Sequence, residues 1–286
     1  MGFDANIFLL MPKIVWDVDA LAFIAAHNTA TGSTMGSVQK IAINNRYKRY
    51  KNIITTPNGS NLWSLISGTN TRMWIFCPVD NSTANTAAYK MDFVSKTSLG
   101  TFNGFSSGDI TVNGVTGGTS KYFSDTLSPN SYSQNNVGHF AYIRTQPSLA
   151  CSIMGANAAV NANRSALVTD LVLGFRSYVN NTAASTDALT TVERLIGCQR
   201  GVSTGIESVK DGVVIKTESL VSVSPSTRAF YWLARNNNGS LANEYVGGQI
   251  CSLYQGLPYL TANQLADFYW IEQLYQTEII TGGRQI

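Results

Sequence analysis

Residues 206–219 read IESVKDGVVIKTES, in which Asp211 and Gly212 separate two runs that contain β-branched residues. Asp-Gly between two such runs is the strongest short-range signal for a β-hairpin, because both central positions of the tight turn need a positive φ. The stretch therefore predicts two antiparallel strands, IESVK paired with VVIKTES, joined by a two-residue turn.

Similar runs, separated by turn residues, continue along the chain from Met73 to Gln255. No helical pattern alternates with them, which favours an antiparallel sandwich over a parallel sheet with crossover helices. The other predicted strands are MWIFCPV (73–79), AYKMDFV (88–94), DITVNGV (109–115), KYFSDTL (121–127), GHFAYIRT (138–145), LACSIMG (149–155), LVTDLVLGFRSYV (167–179), VERLIGC (192–198), AFYWLAR (229–235) and YVGGQICSLYQ (245–255).

Helical patterns are confined to the two ends of the chain. Residues 17–27, DVDALAFIAAH, suit a short helix, and Ser37 begins a second one in SVQKIAINNRYKRYKN. A further short helix is predicted at the apolar patch of Leu62, Trp63, Leu65 and Ile66.

A stronger helix is predicted near the C-terminal end, over LTANQLADFYWIEQLYQTEI (260–279), where Thr261 and Gln264 form a capping box. Because this helix is apolar on two opposite sides, it needs two covers: its own sandwich, and either the N-terminal segment or another protein chain. At about 100° per residue, one side carries Leu265, Phe268, Tyr275 and Ile279, and the other carries Trp270 and Leu274.

These patterns predict a mainly β fold, an antiparallel two-sheet sandwich with helices at the N- and C-terminal ends. Residues 1–66 are expected to form a strand and helical segment that packs on the sandwich or on a partner. Residues 67–259 form the sandwich, and residues 260–286 form the C-terminal helix and tail.

The chain has 286 residues, of which 20 are basic and 17 acidic, so its net charge is only +3. This balance does not favour a nucleic-acid partner. The apolar run from Ile7 to Met11 lacks a basic flank, unlike a signal peptide, and no stretch approaches the ~18 apolar residues of a membrane span. We therefore expect synthesis in the cytoplasm and no membrane partner. Buried reduced thiols, with a disulfide as the alternative, are expected at Cys77, Cys151, Cys198 and Cys251.

The sequence predicts no catalytic, cofactor or metal site. A retaining glycosidase needs two carboxylates about 5 Å apart, which one strand can supply at alternating positions. None of the six glutamates is followed two residues later by Asp or Glu. His27 and His139 lack metal-ligand spacing. In VDNSTAN, the side-chain oxygens of Asp80, Asn81 and Asn85 could bind calcium. The favoured alternative is that these residues form an Asx-rich turn.

The basic run RYKRYK (46–51) is compatible with three roles. It forms a solvated helix face, a docking patch for an acidic protein, or, with its interleaved tyrosines, a nucleic-acid contact. Together with the outer side of the C-terminal helix, the candidate docking residues are Arg46, Lys48, Arg49, Lys51, Trp270 and Leu274.

Tyrosines beside polar turns are candidates for glycan contact, because an aromatic ring can cover the C–H face of a sugar while Asn and Ser bind its hydroxyls. Packing at the edge of a strand is the alternative role for the same residues. The candidates are Tyr122, Tyr132, Tyr178 and Tyr245.

Several short motifs along the chain resemble proteins encoded by phages and prophages of Bacteroidetes-type bacteria. The motifs are D-x-D-A-x-A-F-I (Asp17, Asp19, Ala20, Ala22, Phe23, Ile24), QK-x-A-I-N (Gln39, Lys40, Ala42, Ile43, Asn44), LW (Leu62, Trp63), LT-x-x-x-L-x-x-F-Y (Leu260, Thr261, Leu265, Phe268, Tyr269) and a final GRQI (283–286). The resemblance spans nearly the whole chain, and its motifs belong to the scaffold.

The resemblance implies a concanavalin A-like, laminin-G-like jelly roll and a non-enzymatic role in a virion, as capsid decoration, head fibre or tail-associated protein. It also implies assembly in the host cytoplasm, with other virion proteins as partners and a homo-oligomer, such as a trimer. The alternatives are a carbohydrate-binding receptor module for a host surface glycan and, more remotely, a glycanase.

Overall fold

The computed structural model describes residues 14–68, 70–76, 89–111, 114–145, 150–158, 163–170, 174–187, 194–242, 245 and 247–280. Helices α1 (Val18–Thr31), α2 (Ser37–Tyr50) and α3 (Trp63–Ile66) precede the strands, and α4 (Ala262–Ile280) follows them. Each of these helices was predicted from the sequence. Within the described residues, every helix falls short of the length and apolar character that a membrane crossing requires.

The strands lie between residues 72 and 257. They are β1 (Arg72–Ile75), β2 (Thr101–Asn103), β3 (Ile110–Thr111), β4 (Gly114–Thr116), β5 (Tyr122–Ser124), β6 (Val137–Thr145), β7 (Cys151–Asn157), β8 (Arg164–Asp170), β9 (Gly174–Asn181), β10 (Ser185–Asp187), β11 (Arg194–Val202), β12 (Gly205–Lys210), β13 (Val213–Ser219), β14 (Tyr231–Trp232), β15 (Arg235–Asn237), β16 (Ser240–Ala242) and β17 (Gln249–Leu257).

The described strands form two sheets. The first has eight strands in the order β13-β12-β11-β6-β17-β4-β3, with β1 also paired to β17. The second has nine strands, in the order β10-β9-β8-β7-β14-β5-β2, with β15 and β16 attached through β7. Pairing is antiparallel except between β15 and β7. The fold is therefore mainly β, a jelly-roll-like two-sheet sandwich with helices at both ends, as the sequence predicted.

Aromatic side chains fill the space between the two sheets. Trp74 of the first sheet lies edge-on to Phe123 and Trp232 of the second, with ring centroids 5.1 and 6.3 Å apart. Each such pair adds ~0.5–1.5 kcal/mol to the burial of its apolar area. The buried Trp232 indole donates a 2.9 Å hydrogen bond to the side chain of Gln255 in the first sheet, so its polar group is satisfied across the sandwich.

The predicted hairpin is confirmed. β12 and β13 pair antiparallel with Lys210 opposite Val213, and the turn residues Asp211 and Gly212 have φ of 50° and 76°. Positive φ at both positions is what the Asp-Gly pair was expected to supply.

Several strand predictions need correction. Residues 109–115 belong to two short antiparallel strands, β3 and β4, with Ile110 opposite Val115. Residues 229–235 span β14 and the first residue of β15. Residues 167–179 belong to two antiparallel strands, β8 and β9, in which Asp170 pairs with Gly174, whose φ is 82°. Within residues 88–94, the described part forms only isolated bridges, since the Asp92 side chain accepts the amide hydrogens of Met73 and Ser95 in place of a strand ladder. The short strands β2, β10, β15 and β16 were missed because three residues each carry too little pattern.

The predicted capping box and buried side of α4 are also confirmed. The Thr261 amide donates to the Gln264 side chain at 2.9 Å, and the Gln264 amide approaches the Thr261 hydroxyl at 3.5 Å. The predicted inner side is buried throughout, at Leu265, Phe268, Tyr275 and Ile279.

The second cover of α4 is α2, from the same chain. The Arg49 guanidinium lies 5.7 Å from the centroid of the Trp270 ring on the outer side of α4. Arg49 also donates to Glu278 of α4. The sequence left open whether the N-terminal segment or another protein chain covers the outer side of α4. In the structure, the N-terminal segment contacts this side.

A fully buried ion pair joins α2 to α4. Arg46 donates from Nε and Nη2 to Glu272 at 2.9 and 2.7 Å, and neither side chain is exposed. The hydroxyls of Tyr50 and Tyr254 donate to the same carboxylate. Burial alone lowers the pKa of Arg46, but the adjacent Glu272 carboxylate raises it above its ordinary value. The guanidinium therefore stays charged inside the protein.

Removing one member of this pair should destabilise the protein strongly. We expect Arg46→Met to lower the free energy of unfolding by about 3–5 kcal/mol, because Glu272 is then a buried charge without its cation. The double variant Arg46→Met with Glu272→Met should lose much less, since no buried charge remains. Urea denaturation at pH 7 measures both, and equal losses in the single and double variants would contradict this account.

The described cysteines lie in the core, outside any disulfide. Cys151, Cys198 and Cys251 are at most 1% exposed. Burial raises the pKa of the Cys198 thiol well above its ordinary value, so this side chain behaves as a small apolar group. Cys77 lies outside the described residues.

Candidate functional site

The basic run on α2 is not an open docking or nucleic-acid surface, and most of it is not a solvated face. Arg46 and Arg49 are buried against Glu272 and Glu278. Lys51 contacts Asp17 and Asp19 at 2.8 and 2.6 Å. The docking prediction is therefore wrong for Arg46 and Arg49, because acids distant in the sequence hold them inside the protein. Partial exposure leaves docking a prediction for Lys48, Lys51, Trp270 and Leu274.

Two of the four candidate glycan tyrosines are buried. Tyr178 is 6% exposed, and the guanidinium of Arg164 lies 4.3 Å from its ring centroid. Tyr245 is fully buried, and its hydroxyl donates to the carbonyl of Thr145 at 3.2 Å. The glycan-contact prediction is therefore wrong for Tyr178 and Tyr245, since core packing takes up both rings.

The other two candidates are partly exposed. Tyr122 stacks on Tyr231 with ring centroids 4.4 Å apart, which leaves its predicted role open. Tyr132 forms a wall of a surface cleft of about 210 Å³. The lining of this Tyr132 cleft consists of Leu65, Gly68, Asn70, Thr71, Ser131, Tyr132, Ser133, Asn136, Gly256 and Pro258.

A glycine near the end of β17 makes room for the Tyr132 ring. Gly256 lies at a register shift between Gln255 and Leu257, with φ of 71°, and a Cβ on it would overlap the ring. The Tyr132 hydroxyl accepts a 2.8 Å hydrogen bond from the side chain of Gln255. The β-bulge and this hydrogen bond together fix the ring in the cleft wall.

Amide and hydroxyl groups surround the ring. Asn70 donates from Nδ2 to the Ser131 carbonyl at 2.8 Å, and Asn136 accepts from the Tyr259 amide at 2.7 Å. Each bond uses one end of a side-chain amide, which carries a second polar end of the opposite type. The cleft can therefore offer an acceptor from Asn70 and a donor from Asn136.

A neutral histidine supports the cleft from below. The Nδ1 atom of His139 accepts the amide hydrogen of Gly256 at 3.3 Å, and its ring is edge-on to Tyr132 with centroids 6.1 Å apart. Burial lowers the pKa of His139 to about 3. The imidazole is therefore uncharged at neutral pH and accepts the Gly256 amide hydrogen as a neutral ring.

Two buried carboxylates lie near Tyr132. Arg72 approaches Asp92 at 3.8 Å and Asp125 at 4.0 Å, and both acids are at most 4% exposed. Burial raises the pKa of both Asp92 and Asp125. The pKa of the Tyr132 hydroxyl is raised mainly by burial, and the negative charges of Asp125 and Asp92 raise it further.

The remaining predicted sites lie elsewhere. His27 is buried within α1. Asp80, Asn81 and Asn85, the possible calcium ligands, lie outside the described residues. Sequence reasoning identified Tyr132 but missed Asn70, Asn136 and Gly256. The Ser/Asn-rich segment SYSQNN around Tyr132 was the available signal for Asn136, whereas the bulge at Gly256 carries no local pattern.

No protein-family model and no curated protein sequence matches this chain. Among solved structures, a Trypanosoma rangeli sialidase in complex with sialic acid has 8% identity and a TM-score of 0.48, with 71% of this chain and 33% of that one covered. The same sialidase in complex with 2,3-difluoro-KDN has 10% identity and a TM-score of 0.45, with coverages of 74% and 32%.

The K499G mutant of NanB sialidase from Streptococcus pneumoniae has 10% identity and a TM-score of 0.40, with 49% of this chain and 25% of that one covered. This chain thus spans a third or less of the length of these sialidases. The resemblance to phage proteins stays a prediction.

Replacing Gly256 should disturb both the fold and the cleft. We expect Gly256→Ala to cost more than ~2 kcal/mol of unfolding free energy, because a left-handed backbone strain adds to overlap with the Tyr132 ring. Gly247→Ala is the matched control, since its φ is 78° but a Cβ there meets nothing within 4 Å. Its expected loss is ~1–2 kcal/mol. Denaturant titration of both variants measures the difference, and equal losses would show that the ring contact contributes nothing.

His139 should make the free energy of unfolding depend on pH. Its folded pKa of about 3 lies below the ~6.5 of the unfolded chain, so its stabilisation is complete above pH ~6.5 and falls as the pH drops towards 3. We expect His139→Asn to be less stable than the wild type at pH 7, with a gap that narrows by several kcal/mol near pH 3.5. Urea denaturation at pH 7, 5 and 3.5 provides the measurement. A gap independent of pH would contradict the assignment.

Proposed function

We propose that the chain is a non-enzymatic carbohydrate-binding β-sandwich whose Tyr132 cleft takes one uncharged sugar ring. The observation that carries the proposal is a single aromatic wall, fixed by Gln255 and Gly256, surrounded by hydroxyl and amide groups. An aromatic face covers the apolar side of a sugar, while Asn and Ser exchange hydrogen bonds with its hydroxyls.

The size and charge of the cleft support a small neutral ligand. A volume of about 210 Å³ is below the ~300–1,000 Å³ of sites for drug-sized ligands, so it suits one ring. Its described lining contains no charged side chain. Hydrogen bonding and ring stacking are therefore the interactions that the cleft offers.

The carboxylates near the cleft support binding without hydrolysis. A glycosidase needs two carboxyl groups that flank the scissile bond and reach the substrate. Asp92 and Asp125 are enclosed and engaged with Arg72 and backbone amides. Among the described lining residues of the cleft there is no Asp or Glu.

The proposal includes a place in a phage virion. On such a particle, a glycan-binding module would attach the virion to a host surface. The inner side of α4 is buried within the chain itself, so attachment to other virion proteins, and any trimer, would use the partly exposed Trp270 and Leu274 or a surface elsewhere.

Removing the aromatic wall should abolish sugar binding. We expect wild-type protein to bind neutral oligosaccharides on a glycan array, and Tyr132→Ala to weaken the best of them at least tenfold in titration calorimetry. Tyr122→Ala is the matched control and should leave that affinity unchanged, because its ring stacks on Tyr231 outside the cleft. An array without binding above background, or unchanged affinity in Tyr132→Ala, would refute the proposal.

A further inference from the structure

A second depression adjoins the Tyr132 cleft. Pro258 lines the cleft and the next residue, Tyr259, lines this depression, which has a volume of about 220 Å³. The Tyr259 amide donates to Asn136, a residue of the cleft. The two depressions therefore share the Pro258–Tyr259 segment as a common wall. The lining of this Tyr259 pocket consists of Gly201, Val202, Gly205, Glu207, Thr217 and Tyr259.

The Tyr259 ring is held flat against a glycine. A Cβ on Gly201 would lie 2.8 Å from the ring, so only glycine permits this contact without a shift. The Tyr259 hydroxyl donates to Glu207 at 3.1 Å, which fixes the other end of the ring. Val202, 60% exposed, continues the apolar surface beside it. The pocket thus presents a positioned aromatic ring on a largely apolar floor.

Glu207 supplies the polar side of the pocket. Its second oxygen accepts from the Gln199 side chain at 2.8 Å, and Gln199 is itself buried and bonded to the backbone of Leu260. Each carboxylate oxygen keeps a further lone pair for a ligand hydroxyl. Among the ion pairs between described residues, none involves Glu207.

We propose that the Tyr259 pocket is a second subsite of the same groove, which takes an uncharged sugar ring and rejects acidic sugars. The inference rests on the proposed function of the Tyr132 cleft. The ring and apolar floor suit the C–H face of a sugar, and the carboxylate accepts its hydroxyls. A sialic or uronic acid would place a second carboxylate near Glu207 in a partly desolvated pocket, where like charges repel.

The test compares oligosaccharide ligands of different length and charge. Titration calorimetry would use neutral gluco-, manno- and galacto-oligosaccharides of two to six residues, and the same chains ending in glucuronic or sialic acid. We expect Tyr259→Ala to weaken the longer neutral chains at least tenfold while the shortest ligands keep their affinity. Tyr132→Ala should weaken all of them. Val213→Ala, at an exposed position outside the pocket, is the control and should change nothing.

Charge selection has its own variant, which preserves the shape of the pocket. Glu207→Gln should improve the affinity for acid-terminated chains relative to neutral ones at least fivefold. Unchanged discrimination in Glu207→Gln, or preferential binding of acidic chains by the wild type, would overturn the inference. So would Tyr259→Ala with wild-type affinity at every length. If Tyr132→Ala still weakened binding in that case, the proposed function would stand and only the second subsite would fall.

Discussion

The buried pair of Arg46 and Glu272 is the interaction on which the arrangement of the helical ends depends. Two charges removed from water are tolerated there because two tyrosine hydroxyls share the carboxylate and aromatic rings enclose the guanidinium. One of those hydroxyls belongs to Tyr254 of β17, so the pair fixes α2 and α4 to the first sheet as well as to each other. Packing alone would set the distance between the helices, whereas the two directed hydrogen bonds from Arg46 to one Glu272 oxygen also set their register.

β17 connects this charge cluster to the proposed groove. The strand contributes Tyr254 to the charge cluster and Gln255 to the Tyr132 ring, and its bulge at Gly256 admits that ring. The chain leaves the strand through Pro258 and Tyr259, the wall between the two depressions, and enters α4 at its capping box. Gln199 holds this connection at Leu260 through both polar ends of its amide. The proposed groove therefore combines the end of β17 with residues of the connecting segments beside it.

The sequence was sufficient for features set by neighbouring residues. The Asp-Gly hairpin, the Thr261 capping box and the inner side of α4 each follow from local chemistry, and the strand rhythm predicted the sandwich. It was insufficient where the partner is remote. RYKRYK looks like an exposed cationic face because Glu272 and Glu278 follow more than 220 residues later. Tyr178 and Tyr245 resemble surface tyrosines because their polar flanks say nothing about which side chains and backbone the fold places over their rings. Only the fold distinguishes them from Tyr132.

The separation of 226 residues between Arg46 and Glu272 also has a consequence for biosynthesis. On a ribosome, α2 emerges early, while its acidic counterpart appears only after all the strands have been made. Until then the Arg46 guanidinium lacks its carboxylate partner, since a long loop must close before the contact forms. A protein truncated before α4 would therefore keep the stacking of Tyr47 on Phe93 but would contain Arg46 without the anion that neutralises it.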